Sequence, residues 1–167
     1  MNRLFLVLFS ATYFLLYVAY SIVPETLLRE TVYNYAWVEP SKTMINWISP
    51  SEHAVGIGDN LVSATVNLRI VRGCDGSGVL FLLVAAIVAM RLSPKIAALG
   101  IGGAVVLVYA LNELRIVALY FTISRCPDWF TPMHVYFIPT LMILVSTIYF
   151  AGLTIHHPYE VKVVHPR

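Results

Sequence analysis

Three residues of this chain have side chains that acyl-transfer chemistry uses. They are Cys74 in Arg72-Gly-Cys-Asp-Gly76, Arg115 in Asn112-Glu-Leu-Arg115, and His134 in Pro132-Met-His134. A thiolate is a strong nucleophile whose pKa falls beside a cation. A histidine can take the thiol proton and later protonate a leaving amine. The planar guanidinium of arginine stays charged and can hold a tetrahedral oxyanion or a substrate carbonyl. Gly73 and Gly76 would let a substrate backbone approach the thiol. Asn112, three residues before Arg115, shares its helix face and would orient it or donate a further hydrogen bond.

Each residue also has a plainer reading. Cys74 is one of two cysteines, and in an oxidising compartment it could pair with Cys126 or sit as a small buried thiol. Arg115 could be an interfacial cation paired with Glu113, and His134 an interfacial histidine. Asp75 would cap the helix that follows it. Trp129, Phe130 and Tyr136 fit an aromatic belt. His156, His157 and His165 have no coherent ligand spacing and read as a solvated tail.

What favours chemistry is where the elements put these residues. A helix needs about 20 apolar residues to cross a bilayer core. Leu4 to Val23 is an uncharged run of that length, longer than a signal-peptide core and with no A-x-A site after it, so it reads as a retained first span. The segment 24–73 holds nine charged residues and lies outside the core, with Tyr33, Tyr35, Trp37 and Trp47 available for the headgroup level. Within it, Val62, Ala64, Val66, Leu68 and Ile70 alternate with polar residues behind a Gly/Asp/Asn turn, which predicts a short β-strand or hairpin.

Gly76 to Met90 is the second span, extended past Arg91 by snorkelling of that side chain. After the basic turn Arg91–Lys95, the third span starts at Ile96 and runs through Asn112–Arg115 to Ile123. Val135 to Ile155 is the fourth. At about 1.5 Å per residue, Cys74 lies about 25 Å and Arg115 about 30 Å from the basic turn, and His134 heads a span of similar length. All three reach the leaflet boundary opposite that turn.

Composition agrees. The 167 residues are 59% hydrophobic and 12% charged, about half the charge of a soluble domain. A net charge of +2 without a basic run excludes a nucleic-acid footprint. The cations divide five and five between the two sides. The set in the shortest segments, with Arg91 and Lys95, leans cytoplasmic, which places segment 24–73 outside.

At Gly73-Cys74-Asp-Gly76, Asn112-x-x-Arg115 and His134 the chain resembles the exosortase/archaeosortase family over roughly residues 69–150. It departs from that family in having fewer spans and Asp75 after the cysteine. The resemblance implies a membrane cysteine transpeptidase with Cys74 as nucleophile, Arg115 as stabiliser and His134 as acid/base. Its partners would be exported proteins ending in a short motif (PEP-CTERM-like), a helix and a basic cluster, together with an acceptor in the envelope. It also implies the bacterial inner membrane, with the site facing the periplasm.

The expectation is therefore an all-α integral membrane protein of about four transmembrane helices with a small extracytoplasmic loop domain. Residues 1–23 form the anchor, 24–73 the outer region, 74–155 a three-span catalytic bundle and 156–167 a cytoplasmic tail. No cofactor is required, and the partners are protein substrates, an acceptor and membrane lipid. Two readings compete: a non-catalytic subunit of a membrane complex with a Cys74–Cys126 disulfide, and a small transporter whose polar path is lined by Glu113 and Arg115.

Overall fold

The computed structural model describes residues 3–156; the expected tail beyond His156 lies outside them. The described residues are mostly helical, with three helical runs among them long and apolar enough to cross a membrane: Arg3–Ser21, Pro94–Arg125 and Pro127–Ile155. They correspond to α1 (Arg3–Ser21), α5 (Pro94–Arg125) and a run that ends in α7 (Ile138–His156). The expected second span is a shorter apolar helix, α4 (Ser77–Ala89). Its extension past Arg91 does not occur. Arg91 takes a left-handed φ of 52°, which ends the helix, and Pro94 starts the next.

The outer region is far more helical than its sequence pattern indicates. Helices α2 (Glu25–Leu27) and α3 (Glu39–Ile48) are joined by a π-helical stretch, Leu28–Val38, with right-handed helical dihedrals at both junctions. Buried Leu28, Tyr33 and Val38 recur every five positions. That is the i→i+5 spacing of π hydrogen bonding, and a search for a 3.6-residue period passes over it.

The predicted strand is a sheet of three short strands, β1 (Val55–Ile57), β2 (Asn60–Val62) and β3 (Asn67–Arg69), antiparallel in the order β1-β2-β3. The alternation from Val62 to Ile70 is real, but the chain turns back at Ala64 and Thr65, where the Ser63 side chain accepts from the amide of Val66. Asp59, buried in the hairpin, accepts from Arg29 at 2.8 Å and Arg69 at 2.9 Å.

Three apolar clusters hold the described residues. The smallest packs Leu119, Ile138 and Met142 beside Phe130 and Met133, and the other two are larger. One lies between α4, α5 and α7, where Leu83, Ile87, Ala104 and Val108 pack with Tyr149, Phe150 and Leu153. Tyr149 donates to the Gly100 carbonyl at 2.7 Å, a close helix crossing that glycines permit. The other lies in the outer unit. Tyr33, Trp37, Val38, Ile45, Leu61 and Ile70 pack against Ile116, Val117 and Tyr120 of α5. The apolar stretch after Arg115 is thus spent on this protein core. Of the four aromatics expected at the headgroup level, Tyr33 and Trp37 are buried there instead, while Tyr35 and Trp47 are exposed.

Burial raises the Asp59 pKa, but hydrogen bonds from Arg69 and Arg29 outweigh it and hold the carboxyl below its ordinary range. A depressed folded pKa stabilises at pH above the unfolded value of about 3.9, and that contribution disappears as pH falls through the folded value. Asp59→Asn should therefore be less stable at pH 7 and should lose the acid-sensitive step below about pH 4. Tryptophan fluorescence from Trp37 and Trp47 reads this. Superimposable acid titrations of the two proteins would remove Asp59 as the hairpin's clamp.

Candidate active site

Cys74 sits on a turn that closes between β3 and α4. Its amide donates to the Val71 carbonyl at 2.9 Å, and Gly73 at the third position has φ 89°. A positive φ there is what a type II turn requires. A Cβ on Gly73 would meet nothing within 4 Å, so the space on that side of the turn is open. Gly76 serves a different purpose from the substrate approach expected of it. Its φ is 78°, and an added Cβ would lie 3.1 Å from Val108 and 3.3 Å from Asn112, so this glycine lets α4 start against α5.

The turn is held from α1. Arg72 donates to the carbonyls of Tyr20 (2.6 Å) and Val23 (2.7 Å), and its guanidinium lies over the Tyr20 ring. Tyr20 in turn donates to Asp75 and shares a 2.8 Å hydrogen bond with Tyr33. Asp75 also accepts from the Ser77 hydroxyl at 2.7 Å and its amide at 3.3 Å. The N-cap position of α4 is Gly76, without a side-chain cap, so Asp75 does not take the capping position expected of it; its contact with Ser77 is one part of a larger link. The sequence pattern places Tyr33 at the headgroup level and leaves Tyr20 as part of the first apolar run. No local signal joins residues 55 positions apart.

His134 lies within a π-helical stretch, Met133–Phe137, rather than ahead of the last helix. Pro139 has no amide to give the carbonyl four residues earlier, and a shift to i→i+5 bonding accommodates that loss. Phe130, one turn before, stacks on the imidazole at 5.3 Å with 11° between planes. The Nε2 of His134 is 3.9 Å from Cys74 Sγ. Its Nδ1 is buried and has no partner among the described residues, so stacking orients the ring where other such sites use a hydrogen-bonded third residue.

Arg115 reaches the same place from α5. It is 9% exposed, forms no ion pair among the described residues, and its Nε has no partner. The expected pairing with Glu113 is absent. Glu113 accepts instead from Ser41 of α3 at 2.6 Å, on another side of α5. Glu113 is not among the residues lining the cavity that Arg115 enters. Asn112 does not bond Arg115 either; its amide is buried against Gly76 with neither atom partnered.

Cys74, Arg115 and His134 together line a cavity of about 150 Å³, completed by Leu68–Val71, Ile116, Leu119 and Phe130. Cys74 and Cys126 are both free thiols, the second exposed at the end of α5. No family model, curated protein or solved structure matches the chain.

An imidazole nitrogen beside a thiol can take its proton as the sulfur attacks. Iodoacetamide should therefore alkylate Cys74 at pH 7 faster than Cys126, without prior reduction. His134→Gln should slow Cys74 by about tenfold and leave Cys126 unchanged, as read by mass spectrometry of labelled peptides. Equal rates at the two cysteines would leave the pair without chemical coupling.

Proposed function

We propose that the chain is a membrane-embedded cysteine transpeptidase of the exosortase type. The observation that carries this reading is the juxtaposition of Cys74 Sγ and His134 Nε2 at 3.9 Å beside the buried, unpaired Arg115. Residues as much as 60 positions apart in sequence, on three different elements, supply a nucleophile, a base and a fixed cation to one small cavity. The Cys74 proton passes to His134 Nε2 as Sγ attacks a substrate carbonyl. Arg115, which forms no ion pair among the described residues, holds the developing oxyanion through its guanidinium. The C–N bond breaks, His134 protonates the leaving amine, and the acyl group remains on Cys74 as a thioester. An acceptor hydroxyl, amine or water then attacks the thioester and restores the thiol.

In this reading α1, α4, α5 and the run ending in α7 are four spans in the bacterial inner membrane. Met90–Lys95 faces the cytoplasm, and the outer unit with the cavity faces the periplasm. The α4 helix, at 13 residues, crosses only with the turn that carries Cys74 drawn down towards the core. The site would then meet a substrate where it leaves the bilayer. Substrates are exported proteins that end in a short motif, an apolar helix and a basic cluster. The acceptor is an envelope component such as a glycan or lipid.

An exported reporter carrying such a tail, co-expressed with the full chain, tests the chemistry. Cys74→Ser should leave it unprocessed at normal protein level, because a serine hydroxyl is a weak nucleophile in a site tuned for a thiolate. Cys126→Ser should process it near the wild-type rate. Arg115→Lys keeps the charge but loses the planar fork, and should accumulate precursor. Equal impairment of the two serine variants would favour a structural role for both cysteines over catalysis.

Orientation has its own test. Thr65 at the hairpin turn and Ser93 in the basic turn are both exposed. In a chain lacking Cys74 and Cys126, an impermeant thiol reagent on intact spheroplasts should label a cysteine introduced at Thr65 and spare one at Ser93. The opposite pattern would invert the topology.

A further inference from the structure

Strand β3 closes one side of the sheet, and its outer edge is unpaired. The backbone groups on that edge follow from the ladder. The Ser63 amide bonds to the Val66 carbonyl and the Ile70 amide to the Asp59 carbonyl, with Leu61 opposite Leu68 between them. Val66, Leu68 and Ile70 are thus the residues that bond to β2. In an antiparallel ladder the residues between them point their amides and carbonyls the other way. Asn67 and Arg69 therefore direct both groups to the free edge, and both residues are exposed.

This edge leads into the cavity. Leu68–Val71 form one wall of the space that Cys74, Arg115 and His134 complete. The Val71 carbonyl is already taken by the Cys74 amide, so the edge ends where the thiol begins. An unpaired strand edge is a template for another extended chain, and this one is continuous with the reacting groups.

We propose that the β3 edge is the substrate-binding subsite. An extended segment of the protein substrate adds to the sheet as a fourth strand, bonds to the main chain of Asn67 and Arg69, and delivers its scissile carbonyl to Cys74. The proposal rests on the transpeptidase reading and specifies how that site takes its substrate. Polarity follows from the topology. After Cys74 the chain enters α4, and a substrate whose tail enters the bilayer beside it runs in the same direction as β3. The pairing is therefore parallel. The Arg69 amide and carbonyl bond the two peptide residues flanking its partner, and Asn67 does the same two residues upstream. At about 3.3 Å per residue, some five substrate residues cover the edge. Affinity then comes from main-chain bonds and tolerates varied side chains.

Proline at an edge-facing position removes a donor without touching the β2–β3 ladder. In membranes containing the full chain and the tailed reporter, Asn67→Pro and Arg69→Pro are each compared with alanine at the same site, which keeps the amide. The expected result is a loss in kcat/KM of about tenfold for each proline against its alanine. Cys74 alkylation by iodoacetamide should stay at the alanine rate, showing an intact site. Proline variants that process at the alanine rate while Cys74→Ser is dead overturn the strand-addition proposal alone. Processing by Cys74→Ser overturns the transpeptidase reading beneath it.

A second arm leaves the protein unaltered. A synthetic peptide spanning the reporter's cleaved segment and tail helix is given single N-methyl groups in turn. Loss of cleavage at alternate positions supports pairing with β3, and uniform tolerance or uniform loss rules it out.

Discussion

The 32-residue helix α5 is the constraint on which the rest depends. Its first half belongs to the apolar bundle through Ala104 and Val108, and its second half to the outer core through Ile116, Val117 and Tyr120. Between these halves it carries Asn112, Glu113 and Arg115, all buried. An isolated ionisable side chain in an apolar surrounding is expensive. The outer unit and the Cys74 turn must therefore close over this level. Ser41 satisfies Glu113 on one face, and the cavity with Cys74 and His134 receives Arg115 on another.

A second link fixes the turn that bears the thiol. Arg72 binds the carbonyls at the end of α1, and the hydroxyl of Tyr20 binds Asp75 on the other side of Cys74. Cys74 is thus bracketed by contacts to a helix more than 50 residues away in sequence. Charge-assisted hydrogen bonds of this kind are short, directional and roughly twice the strength of neutral ones. They give a glycine-flanked turn, with positive φ at Gly73 and Gly76, the rigidity that a reactive group requires.

The site differs from a histidine held by a hydrogen-bonded carboxylate. Here the imidazole is placed by a stacked Phe130 and by a π-helical stretch ahead of Pro139. Orientation comes from packing and backbone geometry, and Nδ1 has no partner among the described residues. Arg115 likewise forms no ion pair among the described residues. In the proposed reaction a substrate oxyanion would give this guanidinium a negative partner in the transition state that the ground state lacks.

Much of the arrangement is written in local composition. Uncharged runs of about 20 residues fix the long helices because burying backbone without water demands internal hydrogen bonding. Antiparallel passage at about 1.5 Å per residue was enough to bring Cys74, Arg115 and His134 to one level. Other features have no local signal. The π-helical repeat of Leu28, Tyr33 and Val38 breaks the 3.6 period on which sequence reading relies. The fold of Val62–Ile70 into two strands depends on what each side of the alternation packs against. Whether Arg115 would pair with Glu113 or face the thiol was decided by Ser41, and the hold on Cys74 by Tyr20 and Arg72, residues brought together only when the chain is packed. Hydropathy and periodicity act over one helix or strand, so the sequence by itself determined which segments are apolar helices and which residue types lie at their ends. The partners of individual polar side chains are set by distance in space, and only the tertiary structure decided those.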